Sequence, residues 1–348
     1  MIKINISDKI WKEIEEKHGK YVEDVILPRW DNVVGMMVNK DKVTQDEKND
    51  IEIALTDKSI SLNKDLFIDR EIDKYAWTSE ELVNNSRIKI KKERLVDIVL
   101  HVFGYTSKFN DIPKVNKADT WNRHELLLML NVKVCPYCNR QYVTSYQRAD
   151  GTRWSTADID HYYPKKVFPL LSMNVHNMIP SCNVCNSRLK NERVKTREDI
   201  HLYPYVDGSE SLSFAYDDSL LEQVWIGAKK EEELKLFLHN NSKEKRQKDR
   251  GEQSKIIFRL NEVYEVHQSD MMNLINKYRN YNEWYFRNVQ KKDYPEVMTG
   301  YQELQNMIFD FLYKDVGEEP LIKMKKDIYK QLKNDPLQKY LKALNSKS

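Results

Sequence analysis

The chain has 348 residues, 40% of them hydrophobic and 32% charged, with a formal net charge of +3. It is long enough for two or three domains with cores of their own, which excludes a small, cysteine-dense secreted scaffold. Its densest apolar run, LLLML at 126–130, falls far short of the ~18 residues of a membrane span, and the amino terminus lacks a signal-peptide core, so a cytoplasmic protein with no membrane contact is expected.

Residues 1–130 read as a helical region. Ser7 is a fitting cap for a helix that carries Ile10, Trp11 and Ile14 on one face and ends near Gly19. A second helix is predicted over 87–103, where Ile88, Leu95, Ile98, Val99 and Val102 recur at helical spacing, while 40–75 is irregular and charged. A third is predicted to start after Thr120 and to carry Leu126, Leu127 and Leu130.

The texture changes over 131–205. The stretches QYVTSYQ (141–147) and TRWSTADI (152–159) predict two strands around an Ala149-Asp150-Gly151 turn, with Asp160-His161 at the exit of the hairpin. Pro164 and Pro169 predict a loop that runs to about Met178, and the segment after Cys182 suits a short helix with Val184 and Leu189 facing inward. From 206 to 348 the pattern is helical again, with helices predicted over 258–286, 301–314 and 320–333 and a polar hinge at 241–255.

All four cysteines fall in two CxxC pairs, Cys135/Cys138 and Cys182/Cys185. A single redox CxxC needs no twin, whereas two such knuckles match a structural Zn2+ held by four thiolates. Labile redox thiols and unrelated cysteines are the alternatives. Between the pairs lies Asp160-His161, with Asn177 midway along the following loop and Asn186 just after the last cysteine. An isolated Asp-His pair is usually a surface or core-edge feature; this one sits inside a constellation.

The pattern DH…N…CxxCNxxxK, preceded by CxxC, resembles the HNH endonuclease family over residues 134–191. The resemblance implies an α+β, mostly helical chain with a small zinc-stabilised ββα-metal core between N- and C-terminal helical regions. It implies Asp160 and Asn186 as ligands of a catalytic Mg2+ or Mn2+, His161 as the general base and Asn177 as the residue that steadies loop and histidine. More narrowly, CPYCNRQYV, DIDHYYPK, MIPSCNVCNSRLK and HLYPY (201–205) are similar to the retron-associated and Septu (PtuB-like) HNH nucleases of bacterial anti-phage systems, which work beside an ATPase subunit. The chemistry is coherent: a neutral imidazole can take a proton from water, and a hard cation can neutralise phosphate charge.

Residues 186–197 hold Arg188, Lys190, Arg193, Lys195 and Arg197 against Glu192 alone, and Lys165 and Lys166 follow the Asp-His pair. Such a cluster beside the predicted cleavage position would give sequence-independent phosphate affinity. The leading expectation is therefore a metal-dependent endonuclease acting on nucleic acid, DNA before tRNA or other RNA, in antiviral defence. The rival from another class is a non-catalytic zinc-ribbon module that binds nucleic acid or protein.

Overall fold

The computed structural model describes residues 1–26, 121–166, 169–191, 193–194, 199–281 and 301–334, with a few isolated positions besides. The helix predicted over 87–103, the stretch 40–75, Lys195 and Arg197 lie outside the described residues. The chain is of the α+β class, helices with three small two-stranded antiparallel sheets among the described residues. It forms two compact units, one made of Ile4–Cys135 and Val143–Val206, the other of Met1–Lys3, Pro136–Tyr142 and Asp207–Ser348. Among the described residues no helix is long and apolar enough to cross a membrane.

In the first unit, α1 (Asp8–Tyr21) begins at Ser7, whose hydroxyl accepts from the Ile10 N–H. The side chains at 11, 15 and 18 share one helix face and all reach the segment 173–176. Trp11 stacks on the His176 ring with centroids 4.2 Å apart, and Glu15 Oε1 lies 3.1 Å from His176 Nε2. His18 donates from Nε2 to the Met173 carbonyl at 2.5 Å. α2 (Arg123–Leu130) is capped by Asn122 rather than Thr120, because the Asn122 side chain accepts from the N–H groups of both His124 and Glu125. Leu126, Leu127 and Leu130 are buried as their spacing predicts. Buried Glu125 ties α2 to its neighbours, accepting from Lys17 on α1 and pairing with Arg153 in the hairpin that follows.

The predicted hairpin forms as β1 (Ser145–Gln147) and β2 (Arg153–Ser155), with Tyr146 opposite Trp154. Its turn closes through Gly151 at φ 82° and through Asp150 Oδ1, which accepts from both the N–H and the hydroxyl of Thr152. The second strand does not continue to Ile159 as expected. The chain breaks at Thr156-Ala157, where Arg123 donates to the Ala157 carbonyl at 2.8 Å. A separate β3 (Asp158–His161) then pairs with β4 (Met178–Ser181), so Asp160 and His161 lie within a strand rather than at a hairpin exit. β4 was not predicted: its four residues include Pro180, and its pairing comes from a strand well upstream. After β4 the chain winds into a π-helix over Val184–Lys190. There Val184 is exposed and Leu189 half-buried, while Cys185 and Lys190 face inward, contrary to expectation.

The second unit is less uniformly helical than its pattern suggests. β5 (Leu212–Ala215) and β6 (Phe237–Asn240) form an antiparallel pair around α3 (Asp218–Trp225). The polar run read as a hinge is largely a helix, α4 (Lys245–Ile257), whose Gly251 allows close approach to β6. A Cβ at Gly251 would come within 2.5 Å of the Asn240 amide, which donates to the Lys248 carbonyl and to Glu252. α5 (Leu260–Tyr264) and α6 (Gln268–Asn280) fill the predicted stretch 258–286 as far as Asn280, and α7 (Tyr301–Ile308) follows. α8 (Ile322–Asn334) lies along β5 and completes its edge with side chains: Asp327 accepts from the Phe214 N–H, and the Gln331 amide bonds both the N–H and the carbonyl of Tyr216.

His18 makes the first unit sensitive to acid. Its Nε2 carries the proton given to Met173, and its Nδ1 accepts from the Trp121 indole at 3.0 Å, so the buried ring is held neutral. Burial pulls its pKa down to about 4, with the Met173 carbonyl opposing that shift. The unfolded chain therefore binds more protons between about pH 4 and pH 6.5. Stability should be full above pH 6.5 and fall on acidification, His18 alone contributing about 3 kcal/mol by pH 4. Urea titrations across this range should show a shallower loss in His18→Gln; an unchanged pH dependence would count against the assignment.

Candidate functional site

All four cysteines are buried. Their sulfurs all lie within 4.8 Å of one another, and among the described residues they are the one group of three or more His, Cys, Asp or Glu side chains so arranged. Four thiolates around zinc at about 2.3 Å would stand about 3.8 Å apart, so the cluster can hold such an ion with little movement. Backbone N–H groups already point at sulfur: Arg140 donates to Cys138 Sγ and Cys185 to Cys182 Sγ, each at 3.4 Å. The loop Pro136–Tyr142 is shaped by its own unit. Asn139, at φ 52°, donates to the Val316 carbonyl and accepts from the N–H groups of Leu321 and Lys323. Tyr264 donates to the Cys138 carbonyl at 2.6 Å, and Tyr137 stacks on Phe258.

The other predicted site residues lie on β3, on the segment that joins it to β4, and on or just after the π-helix. Alternation along β3 turns Asp158 and Asp160 to the same face, toward the π-helix. Asp160 Oδ2 meets the Lys190 ammonium at 2.6 Å, and both side chains are buried. Lys190 also donates to the carbonyls of His161 at 2.7 Å and Tyr162 at 3.0 Å, which uses all three of its N–H bonds. Burial lowers the Lys190 pKa, and the Asp160 carboxylate opposes that shift. Lys190 is thus an internal counter-ion, and its predicted part in phosphate binding is corrected accordingly: an ammonium 1% exposed with three protein acceptors has nothing to offer a nucleic-acid backbone.

Asn186 does not meet Asp160. Its amide donates to Asp158 Oδ2 at 3.3 Å, and Asn183 donates to the same oxygen at 3.0 Å. Sequence reasoning passed over Asp158, although its i, i+2 spacing from Asp160 on a strand was a usable signal. Carboxylate and amide oxygens are the donor type that suits Mg2+ or Mn2+; here both asparagines turn their N–H groups to Asp158.

His161 is buried, and its Nε2 lies 2.9 Å from the Ser172 carbonyl. A carbonyl only accepts, so Nε2 carries the proton of the neutral ring and Nδ1 is the basic atom. Burial pulls the His161 pKa down to about 3, and the charges of Lys165 and Lys190 push the same way, while the Ser172 carbonyl opposes them. The ring is therefore neutral at physiological pH.

Asn177 is fully buried and laces the ends of the β3–β4 connection. Its Oδ1 accepts from the Tyr163 N–H at 2.8 Å, its amide donates to the carbonyls of Tyr163 and Leu171, and its own carbonyl accepts from the Tyr162 N–H. The segment HLYPY supports the same stretch, because Tyr203 donates to the His176 carbonyl and Tyr205 to the Met178 carbonyl. Ser172, which acts through its main chain, left no sequence signal. Of the predicted phosphate contacts, Lys166, Arg188 and Arg193 are exposed and Lys165 is half-buried.

No protein-family model, no curated protein and no solved structure matches this chain.

Two measurements test this geometry. Reduced protein as isolated should carry about one zinc per chain, and Cys185→Ser should lose the metal together with much of its thermal stability; a metal-free, fully stable wild type would refute a structural centre. Asn177→Ala should cost about 3 kcal/mol in urea unfolding, because buried main-chain groups of Tyr163 and Leu171 lose their partners.

Proposed function

We propose that the chain is a metal-dependent HNH endonuclease with a structural zinc in its cysteine cluster. The observation that carries this reading is that one short strand holds both a neutral, tautomer-fixed His161 and the Asp160 carboxylate, with Asn186 on the helix that faces it. His161 is the general base: with Nε2 committed to Ser172, Nδ1 takes the proton from the attacking water. Asn177 keeps the loop, and with it Ser172, in register with the strand end. Asp160 and Asn186 are the residues that would hold a divalent cation, with Asp158 on the same strand face; Mg2+ or Mn2+ there would supply charge neutralisation at the scissile phosphate and the departing oxygen.

The substrate is nucleic acid, DNA first, with tRNA or other RNA as the second candidate. Exposed Lys166, Arg188 and Arg193 supply phosphate contacts that carry no sequence information. An effector role in bacterial anti-phage defence, beside an ATPase subunit, follows from the likeness of the CxxC, DIDH and HLYPY segments to that group of HNH proteins. A second reading, a zinc-ribbon binding module without catalysis, draws on one observation: Asp160 and His161 are both buried, and Asp160 is already met by Lys190.

Cleavage of plasmid DNA, single-stranded DNA and tRNA separates the two. Wild type should cut with Mg2+ or Mn2+ and not with EDTA, and His161→Ala should lose about 10²–10⁴-fold in rate while keeping its zinc. Equal cutting by His161→Ala would overturn the assigned base, and binding without cutting under any metal would favour the binding module.

A further inference from the structure

The Lys190 ammonium is the most unusual group in this part of the molecule. It is 1% exposed, sits at the end of a π-helix and spends all three N–H bonds inside the protein. Burying a lysine is unfavourable unless charge and hydrogen bonds compensate for the lost water. Here one acceptor is the Asp160 carboxylate and the other two are the carbonyls of His161 and Tyr162, the residues at which the chain leaves β3. Its Nζ also lies 5.9 Å from the centre of the Tyr162 ring. One cation therefore joins the predicted ion ligand, the main chain of the predicted base and the helix that carries Asn186.

We infer that Lys190 is a positioning residue for the reaction, which sets both the geometry of the strand end and the charge of the ion site. This rests on the nuclease reading above. The two carbonyl bonds fix the direction in which the chain leaves His161, and so the relation of the imidazole to the Asp160 carboxylate. The third bond cancels the charge of Asp160 from inside. A divalent ion approaching that carboxylate meets a fixed positive charge in van der Waals contact with it, and two cations a few ångströms apart repel strongly in a poorly solvated site. The free protein consequently holds the ion weakly. The negative charge that completes the site comes from the substrate phosphate, so ion and nucleic acid bind together.

A purely structural lysine predicts something different. Its removal would loosen the strand end and weaken ion binding and turnover alike. A lysine that sets charge and geometry separates the two quantities: without the ammonium, Asp160 attracts the ion more strongly, while the misaligned site turns over more slowly.

The test is a Mn2+ titration of zinc-loaded full-length protein, with free Mn2+ followed by electron paramagnetic resonance and no nucleic acid present. Wild type, Lys190→Met, Lys190→Gln and Asp160→Asn are compared after their zinc content and near-ultraviolet circular dichroism have been shown to match. Lys190→Gln keeps N–H donors for the carbonyls and serves if the methionine variant does not fold. The inference expects Mn2+ affinity to rise about tenfold in the Lys190 variants and to vanish in Asp160→Asn. In plasmid cleavage it expects kcat to fall at least about tenfold with KM for DNA little changed. Mn2+ binding in folded Lys190 variants that is equal to or weaker than wild type overturns it, as does a wild type without an Asp160-dependent Mn2+ site. The titration needs no turnover. A protein that never cuts but shows the expected Mn2+ pattern would defeat the nuclease reading and leave the charge role of Lys190 standing.

Discussion

A buried cation at the end of β3 is the constraint on which the candidate site depends. Lys190 comes from the π-helix and Asp160 from the strand, and their contact at 2.6 Å locks the two elements together. Neither partner tolerates burial alone, since an uncompensated charge in the interior is among the most destabilising features a fold can carry. The pair therefore specifies one docking of helix on strand. Because Lys190 also takes the carbonyls of His161 and Tyr162, that docking extends to the main chain beside the imidazole.

Around this pair the first unit builds a rigid frame from short pieces. β3 and β4 have four residues each and would not hold by themselves. Asn177 supplies the missing rigidity by bonding main-chain groups at 163 and 171, while α1 presses on the same connection through Trp11, Glu15 and His18. Ser172 and Met173 lie in this clamped stretch, and it is the Ser172 carbonyl that decides which nitrogen of His161 bears the proton. The amino-terminal helix thus reaches the chemistry of the imidazole through a single loop.

The cysteine cluster serves a neighbouring purpose. Its second pair spans the start of the π-helix, so an ion held there would fix the beginning of the element that ends in Lys190. The loop of the first pair takes its shape from Asn139, Tyr264 and Phe258, whose contacts satisfy its main chain without regular secondary structure. Held at its end by an ion pair, and with the cysteine cluster at its start, a helix of seven residues becomes a dependable carrier of side chains.

What the sequence determined by itself was local. The capped helix α1, the hairpin around Gly151, the apolar stripe of α2 and the pairing of cysteines by spacing all follow from residues within one or two turns of each other, where propensity and stereochemistry act directly. The same holds for the proximity of Asp160 to His161. Tertiary structure decided the rest. β4 exists because β3 offers it an edge. The run 245–257 is helical because Gly251 seats it on Asn240. Asn186 meets Asp158, and Lys190 turns inward to Asp160, because the wide turn of the π-helix sets each opposite a different carboxylate on one face of β3. A lysine reads the same in sequence whether it meets water or a carboxylate. Only packing removes the water, and with the water gone the charge must find its partner inside the protein.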